Sequence, residues 1–150
     1  MSRGFLEVEK EYLKSNRETI IPKRGTVRSA GYDFHLKEEI VLAPNETKLI
    51  FSDIKAYMES DEVLNMYIRS SIAIKKKIRL NNCVCVIDAD YFSNPDNDGN
   101  IGIALHNFGN KTIILKAGER VCQGVFSKYL IATNDDANGV RKGGIGSTGK

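Results

Sequence analysis

A chain of 150 residues with 41% hydrophobic and 27% charged positions has room for one globular domain with a substantial core. It holds no apolar run long enough to cross a bilayer, and Met1-Ser2-Arg3-Gly4-Phe5 has no signal-peptide core, so the expectation is a cytoplasmic protein with no membrane partner. The net charge of +3 and a single basic run, Lys75-Lys76-Lys77, without interleaved aromatics, permit an anionic ligand but argue against a nucleic-acid partner.

In chain order, short β-type runs separated by turn signals dominate. Residues 5–12 alternate apolar and charged positions, as a half-exposed strand does. Arg24-Gly25 and Ala30-Gly31 punctuate the next stretch, and Pro44-Asn45 marks a turn between Ile40-Val41-Leu42 and a strand over residues 47–51. Further strands are expected over residues 55–58, 63–68, 78–80, 83–87, 101–105, 112–115 and 121–129. Only residues 71–77 read as helical, with Ser70 or Ser71 as cap and lysines at the end suited to the helix dipole. Many short strands without strand-helix alternation indicate an all-β jelly-roll barrel or sandwich. The composition shifts at Thr133, which divides a β domain (residues 1–132) from a glycine-rich arm (residues 133–150) with little to bury and mobility when free.

The three cysteines read as buried thiols, Cys83 and Cys85 sharing one face of a strand and Cys122 remote. His35 and His106 fall in apolar, strand-like contexts as satisfied structural histidines. Residues 92–100 form a polar loop, read as a solvated turn.

Three segments can carry chemistry. Cys83-Val84-Cys85-Val86-Ile87 runs into Asp88-Ala89-Asp90-Tyr91, so a buried strand delivers a carboxylate to its own end; the same residues also make an ordinary strand-to-turn junction. Arg69-Ser70-Ser71 lies where a strand gives way to a short helix, a place for an anion or simply for a cap. The arm offers glycine N–H groups, hydroxyls and Arg141, the groups that wrap phosphate oxygens, although the Walker A spacing is missing. Together they suggest phosphate-ester chemistry without naming a substrate.

In order along the chain, these segments resemble the five motifs of the trimeric deoxyuridine triphosphatase (dUTPase) family. Ala30-Gly31-Tyr32-Asp33-Phe34 is similar to the first and Arg69-Ser70-Ser71-Ile72-Ala73 to the second; residues 82–91 match the third, Gly118-Glu119-Arg120-Val121-Cys122-Gln123 the fourth, and residues 141–149 the glycine-rich fifth. The resemblance implies a jelly-roll, β-clip domain assembled as a homotrimer with shared active sites, hydrolysing dUTP to dUMP and pyrophosphate with Mg²⁺.

It further implies that Asp88 is the base that deprotonates the attacking water, being ionised at neutral pH from a reference pKa of about 3.9. Tyr91 would exclude a ribose 2′-OH, and Asn82 with the backbone of Val86 and Ile87 would read the uracil edge, with Gly102 also in the substrate pocket. Arg69, Ser70, Ser71 and Gln123 would hold phosphates, and Asp33 would stand near the waters of a metal carried by the substrate, with no direct protein ligand. Arg141, Ile145, Gly146, Ser147 and Thr148 would close over the bound nucleotide.

The chain departs from that pattern at three positions. Ile145 stands where the family carries an aromatic that stacks on uracil, Cys85 where it prefers glycine, and Lys77 where a glycine is common. The altered arm and the long 92–100 loop also suit an alternative, a dUTP-gated regulatory protein on the same fold.

Overall fold

The structure is a computed structural model that describes residues 2–146. In chain order the strands are β1 (Gly4–Glu7), β2 (Lys23–Arg24), β3 (Tyr32–His35), β4 (Ile40–Leu42), β5 (Thr47–Phe51) and β6 (Ile54–Tyr57). They continue with β7 (Glu62–Ile68), β8 (Ile78–Leu80), β9 (Cys85–Asp88), β10 (Gly102–Asn107), β11 (Ile113–Leu115) and β12 (Arg120–Lys128). One helix, α1 (Ser70–Lys76), and two 3₁₀ turns, Lys10–Tyr12 and Ala89–Tyr91, complete the described elements. Every pairing is antiparallel, in a five-stranded sheet ordered β2-β3-β12-β7-β9, a three-stranded sheet β5-β10-β8, and the two-stranded pairs β1-β6 and β4-β11. The all-β jelly-roll architecture expected from the sequence is present.

Period-2 alternation decides which face each strand buries. Along β10, Ile103, Leu105 and Asn107 point into the core, while Gly102, Ala104 and His106 take the opposite face. The core gathers Phe34, Leu42, Leu64, Met66, Leu80, Leu105 and Val121, each essentially closed to water. Phe5 joins it through ring contacts at 5.3 Å to Tyr32, 5.6 Å to Phe34 and 5.2 Å to Phe126, which pins β1 against the five-stranded sheet.

Several local expectations change. The alternating segment over residues 5–12 is a four-residue strand followed by the Lys10–Tyr12 turn, because Val8 turns inward and its N–H donates to the Asp53 carbonyl at 3.1 Å. β3 was not anticipated; its apolar content is a single buried Phe34 among polar neighbours. Cys83 is not in a strand: it adopts φ +66° in the turn that carries the chain from the sheet of β8 to the sheet of β9. Neither serine caps α1, since Arg69 occupies the N-cap and makes no side-chain cap bond, and the helix ends on Lys77 in the left-handed region at φ +57°. β9 is an edge strand rather than a buried one, with Val86 and Asp88 exposed and Ile87 buried.

The largest departure is the 92–100 loop. Asn94, Asp98 and Asn100 are buried, so a segment read as solvated is an internal polar scaffold. Lys55 Nζ meets the Asp98 carboxylate at 2.8 Å with both side chains under a tenth exposed. Lys37 does the same with Asp53, also at 2.8 Å. Burial opposes ionisation of Asp53 and Asp98, but the ammonium partners and the donated N–H bonds outweigh it and hold both carboxyls below the usual carboxylate range. Among the described residues no helix is long and apolar enough to cross a membrane.

Because the folded-state pKa values of Asp53 and Asp98 lie below their unfolded values, the stability that these pairs contribute is present above the ordinary carboxylate range and is lost as pH falls through the folded values, below about pH 4. Lys37→Met leaves Asp53 buried without its counter-charge; the expected cost is about 3–5 kcal/mol, read as a lower denaturant midpoint at pH 7 with a difference from wild type that shrinks as the pH is lowered.

Candidate functional site

A cleft of about 530 Å³ opens between the three-stranded sheet and the edge of the five-stranded one. Its floor is the outward face of β5 and β10, where Leu49 pairs in register with Ala104 and Phe51 with Gly102. Small residues on β10 make this floor: a Cβ on Gly102 would lie 3.0 Å from Leu49 Cδ1 and 3.3 Å from Phe51 Cε1. The wall is β9 and the turn before it, with Asn81, Asn82, Cys85, Val86, Ile87 and Asp88. Among the described residues β9 pairs only with β7, so its other edge leaves alternate backbone N–H and C=O groups for a ligand.

Tyr91 closes the inner end. Its phenol donates to the Asn100 carbonyl and accepts from Asn97 Nδ2, both at 2.8 Å, so the ring is held at two points. Burial pushes this phenol up, which keeps it a donor at neutral pH. The Arg141 guanidinium lies 5.6 Å from the ring centroid.

The arm forms the roof. Residues 129–140 run exposed, and the chain then packs down over residues 141–146, with Gly143 and Gly144 buried. Arg141 is the clasp: its Nη2 donates to Asp88 and its Nε to Asp90, each at 2.7 Å. Its side chain is 9% exposed, whereas both carboxylates stay open to water. Asp90 therefore shares a cation with Asp88. Ile145 sits over the cleft, its Cδ1 3.7 Å from where a Gly102 Cβ would lie, and remains largely exposed.

Of the residues that the sequence singled out, Asn82, Val86, Ile87, Asp88, Tyr91, Gly102, Arg141, Ile145 and Gly146 converge on this cleft. Ser147 and Thr148 lie outside the described residues. Asp33, Arg69 and Gln123 form a second cluster elsewhere, and Ser70 and Ser71 follow Arg69 at the start of α1. Asp33 pairs in register with Gln123 across β3 and β12, and its carboxylate meets Arg120 at 3.3 Å and Arg69 at 4.0 Å. Gly31 allows this approach, since a Cβ there would lie 2.9 Å from Gln123 Cβ. The register separates the clusters: Asp88 pairs with Val63 at one end of β7, while Arg69 follows Ile68 at the other, about 20 Å away at the strand rise.

Two readings of single residues change here. His35, beside the second cluster, is not satisfied: its Nδ1 is buried without a hydrogen-bond partner, and burial keeps the ring below its usual pKa. His106 does pair, with Thr47 Oγ1 at 2.8 Å. The cysteines differ among themselves, Cys83 exposed, Cys85 half-buried and Cys122 buried. Burial pushes the Cys85 thiol up, with an Asn82 hydrogen bond acting the other way, and burial pushes Cys122 up further. Sequence reasoning missed Asp96 and Asn97, which reach the arm; the only signal was the density of Asn and Asp in a loop with no other evident task.

The geometry so far defines an all-β domain with a largely apolar cleft, roofed by an arginine clasped between two carboxylates, and a second charged cluster at the other end of β7. The dUTPase family pattern matches residues 17–149, and the chain belongs to that family. A deoxyuridine 5′-triphosphate nucleotidohydrolase from Lactococcus lactis is 48% identical over 98% of this chain and 97% of its own length. One from Nautilia profundicola is 33% identical over 91% of this chain and 96% of its own. The crystal structure of dUTPase from Streptococcus mutans superimposes with a TM-score of 0.77 at 40% identity, covering 87% of this chain and 99% of that one.

Alkylation at pH 7 under native conditions is expected to label Cys83 first, Cys85 much more slowly and Cys122 only after unfolding, as read by peptide mass mapping over time.

Proposed function

We propose that the chain hydrolyses dUTP to dUMP and pyrophosphate, with Asp88 as the base that takes a proton from the water attacking the α-phosphorus. The observation that carries this reading is the convergence of Asn82, β9, Asp88, Tyr91 and the arm on one cleft in a member of the dUTPase family. The relatives named above carry that activity in their names.

The free edge of β9 explains selectivity for the base. A strand edge presents an N–H donor beside a C=O acceptor, which complements the O4 acceptor and N3–H donor of uracil. Cytosine reverses that pattern, and mispaired buried polar groups cost about 1–3 kcal/mol each. Asn82, at the cleft mouth, adds a side-chain amide to the same edge. Tyr91, fixed by Asn97 and the Asn100 carbonyl, is a wall that cannot retreat from a ribose 2′-OH.

Arg141 links binding to deprotonation. Without substrate its guanidinium is neutralised by Asp88 and Asp90. A triphosphate competes for that cation, and its transfer to phosphate leaves Asp88 with an open acceptor for the water proton. The second cluster supplies Arg69, Ser70, Ser71 and Gln123 for the remaining phosphate oxygens. Since one chain holds it about 20 Å from Asp88, a homotrimer in which a neighbour brings its own cluster to the cleft accounts for both halves.

Mg²⁺ fits as an ion carried by the substrate. Asp33 is engaged by two arginines, which suits it to orient a metal-bound water rather than to ligate directly. When bound, the ion neutralises phosphate charge. A cytoplasmic setting agrees with free thiols at three positions.

Pyrophosphate release is expected from dUTP and not appreciably from dCTP, dTTP or UTP. Asp88→Asn should lower kcat by about 10³-fold with substrate binding retained; equal turnover by wild type and variant would overturn the assignment of the base. Ile145→Phe should lower KM about fivefold, since stacking a base on an aromatic ring contributes about 1–3 kcal/mol and isoleucine keeps only its apolar contact; an unchanged or higher KM removes the stacking argument.

A further inference from the structure

Apart from fixing Tyr91, residues 92–100 have no part in the chemistry above, yet a dense set of hydrogen bonds holds them. Asp98 is fixed by Lys55 at 2.8 Å and accepts the Glu9 N–H at 2.7 Å. Asn100 Nδ2 donates to Asp53 at 2.9 Å, and Asn94 Nδ2 to the Tyr91 carbonyl at 2.8 Å. Inside this frame the Asn97 side chain cannot rotate. Its Oδ1 accepts from Asn94 Nδ2 at 2.8 Å and from the Gly99 N–H at 3.0 Å, and its Nδ2 donates to Tyr91 at 2.8 Å.

The arm rests on that fixed amide. Gly144 N–H donates to Asp96 Oδ2 at 3.2 Å. A Cβ on Gly144 would lie 2.7 Å from Asn97 Nδ2 and 3.2 Å from Asp96 Oδ2. Gly144 does not have a positive φ, so its missing side chain is a matter of space and not of backbone strain. An alanine there meets the Asn97 amide, whose two polar atoms together make three hydrogen bonds.

We propose that the 92–100 loop is the dock on which the glycine-rich arm closes, with Asp96 and Asn97 as positioning residues. Asp96 accepts the Gly144 amide, and Asn97 sets the depth at which the arm lies while bracing Tyr91. The dock thus ties the wall of the cleft and its roof to one rigid piece of chain. Its kinetic consequence rests on the dUTP reading above; the docking itself is read without substrate.

Trypsin reports the dock directly, because its targets Arg141 and Lys142 precede the buried Gly143 and Gly144. Cleavage there follows the population of the undocked arm. In substrate-free protein, Asp96→Ala and Gly144→Ala are expected to speed cleavage after residues 141 and 142 about 5- to 10-fold. Asp96→Asn, which keeps an acceptor oxygen, should stay within about twofold of wild type, and the thermal midpoint should hold for both Asp96 variants because Asp96 is exposed. With dUTP, Asp96→Ala and Gly144→Ala should raise KM about 5- to 10-fold with a smaller change in kcat, and Asp96→Asn should restore it. Wild-type rates of cleavage in both Asp96→Ala and Gly144→Ala would overturn the dock. Absence of dUTP hydrolysis by wild type would overturn the proposed function instead and leave the cleavage result to be judged by itself.

Discussion

The Asp53 carboxylate is the interaction on which the site depends. It is closed to solvent and satisfied from several directions: Lys37 Nζ and Asn100 Nδ2 reach it from side chains, and Lys14 and Ser15 donate backbone N–H groups at 2.9 and 3.1 Å. Its own backbone N–H returns a bond to Asn100 Oδ1 at 2.9 Å. A single buried charge therefore gathers the N-terminal segment, the turn after β3, the start of β6 and the start of β10. An uncompensated carboxylate at that depth would be prohibitive, so these segments are held together by the need to keep it paired. From Asn100 the chain of bonds continues to Tyr91, and so reaches the cleft.

This explains why the loop beside the cleft is rigid although its composition is that of a turn. Asn, Asp, Pro and Gly are the residues of solvated loops, and from sequence nothing distinguishes an Asn that faces water from one that replaces water. Asn94, Asn97 and Asn100 do the latter, each using its amide to satisfy backbone or side-chain groups that the fold has taken out of solvent.

The legible features were those with local causes. The strands from β4 to β12 announce themselves through apolar periodicity and turn residues, and the family motifs identify the cleft residues one by one. What was hidden depends on pairing between distant segments. The edge position of β9 follows from which strand it meets, not from its own apolar run. The orphaned His35 nitrogen depends on neighbours across β3 and β12. The separation of the Asp33 and Asp88 clusters is a matter of register along β7, and register is not written in either motif. The arm's partners at Asp96 and Asn97 lie some fifty residues away in sequence and carry no periodic signal.

The exposed stretch of residues 129–140 between β12 and the arm is a tether. β12 ends with Lys128 opposite Glu62, one position from the Val63 that faces Asp88, so the tether starts beside the cleft that its far end covers. A flexible segment of that length has a root-mean-square span of about 17–21 Å. The arm is thereby held at a high effective concentration over the cleft. Its docking is first-order and indifferent to how much protein is present. Since closure entropy grows only logarithmically with length, moderate insertions in the tether would change the arm's occupancy far less than the loss of one bond at its dock.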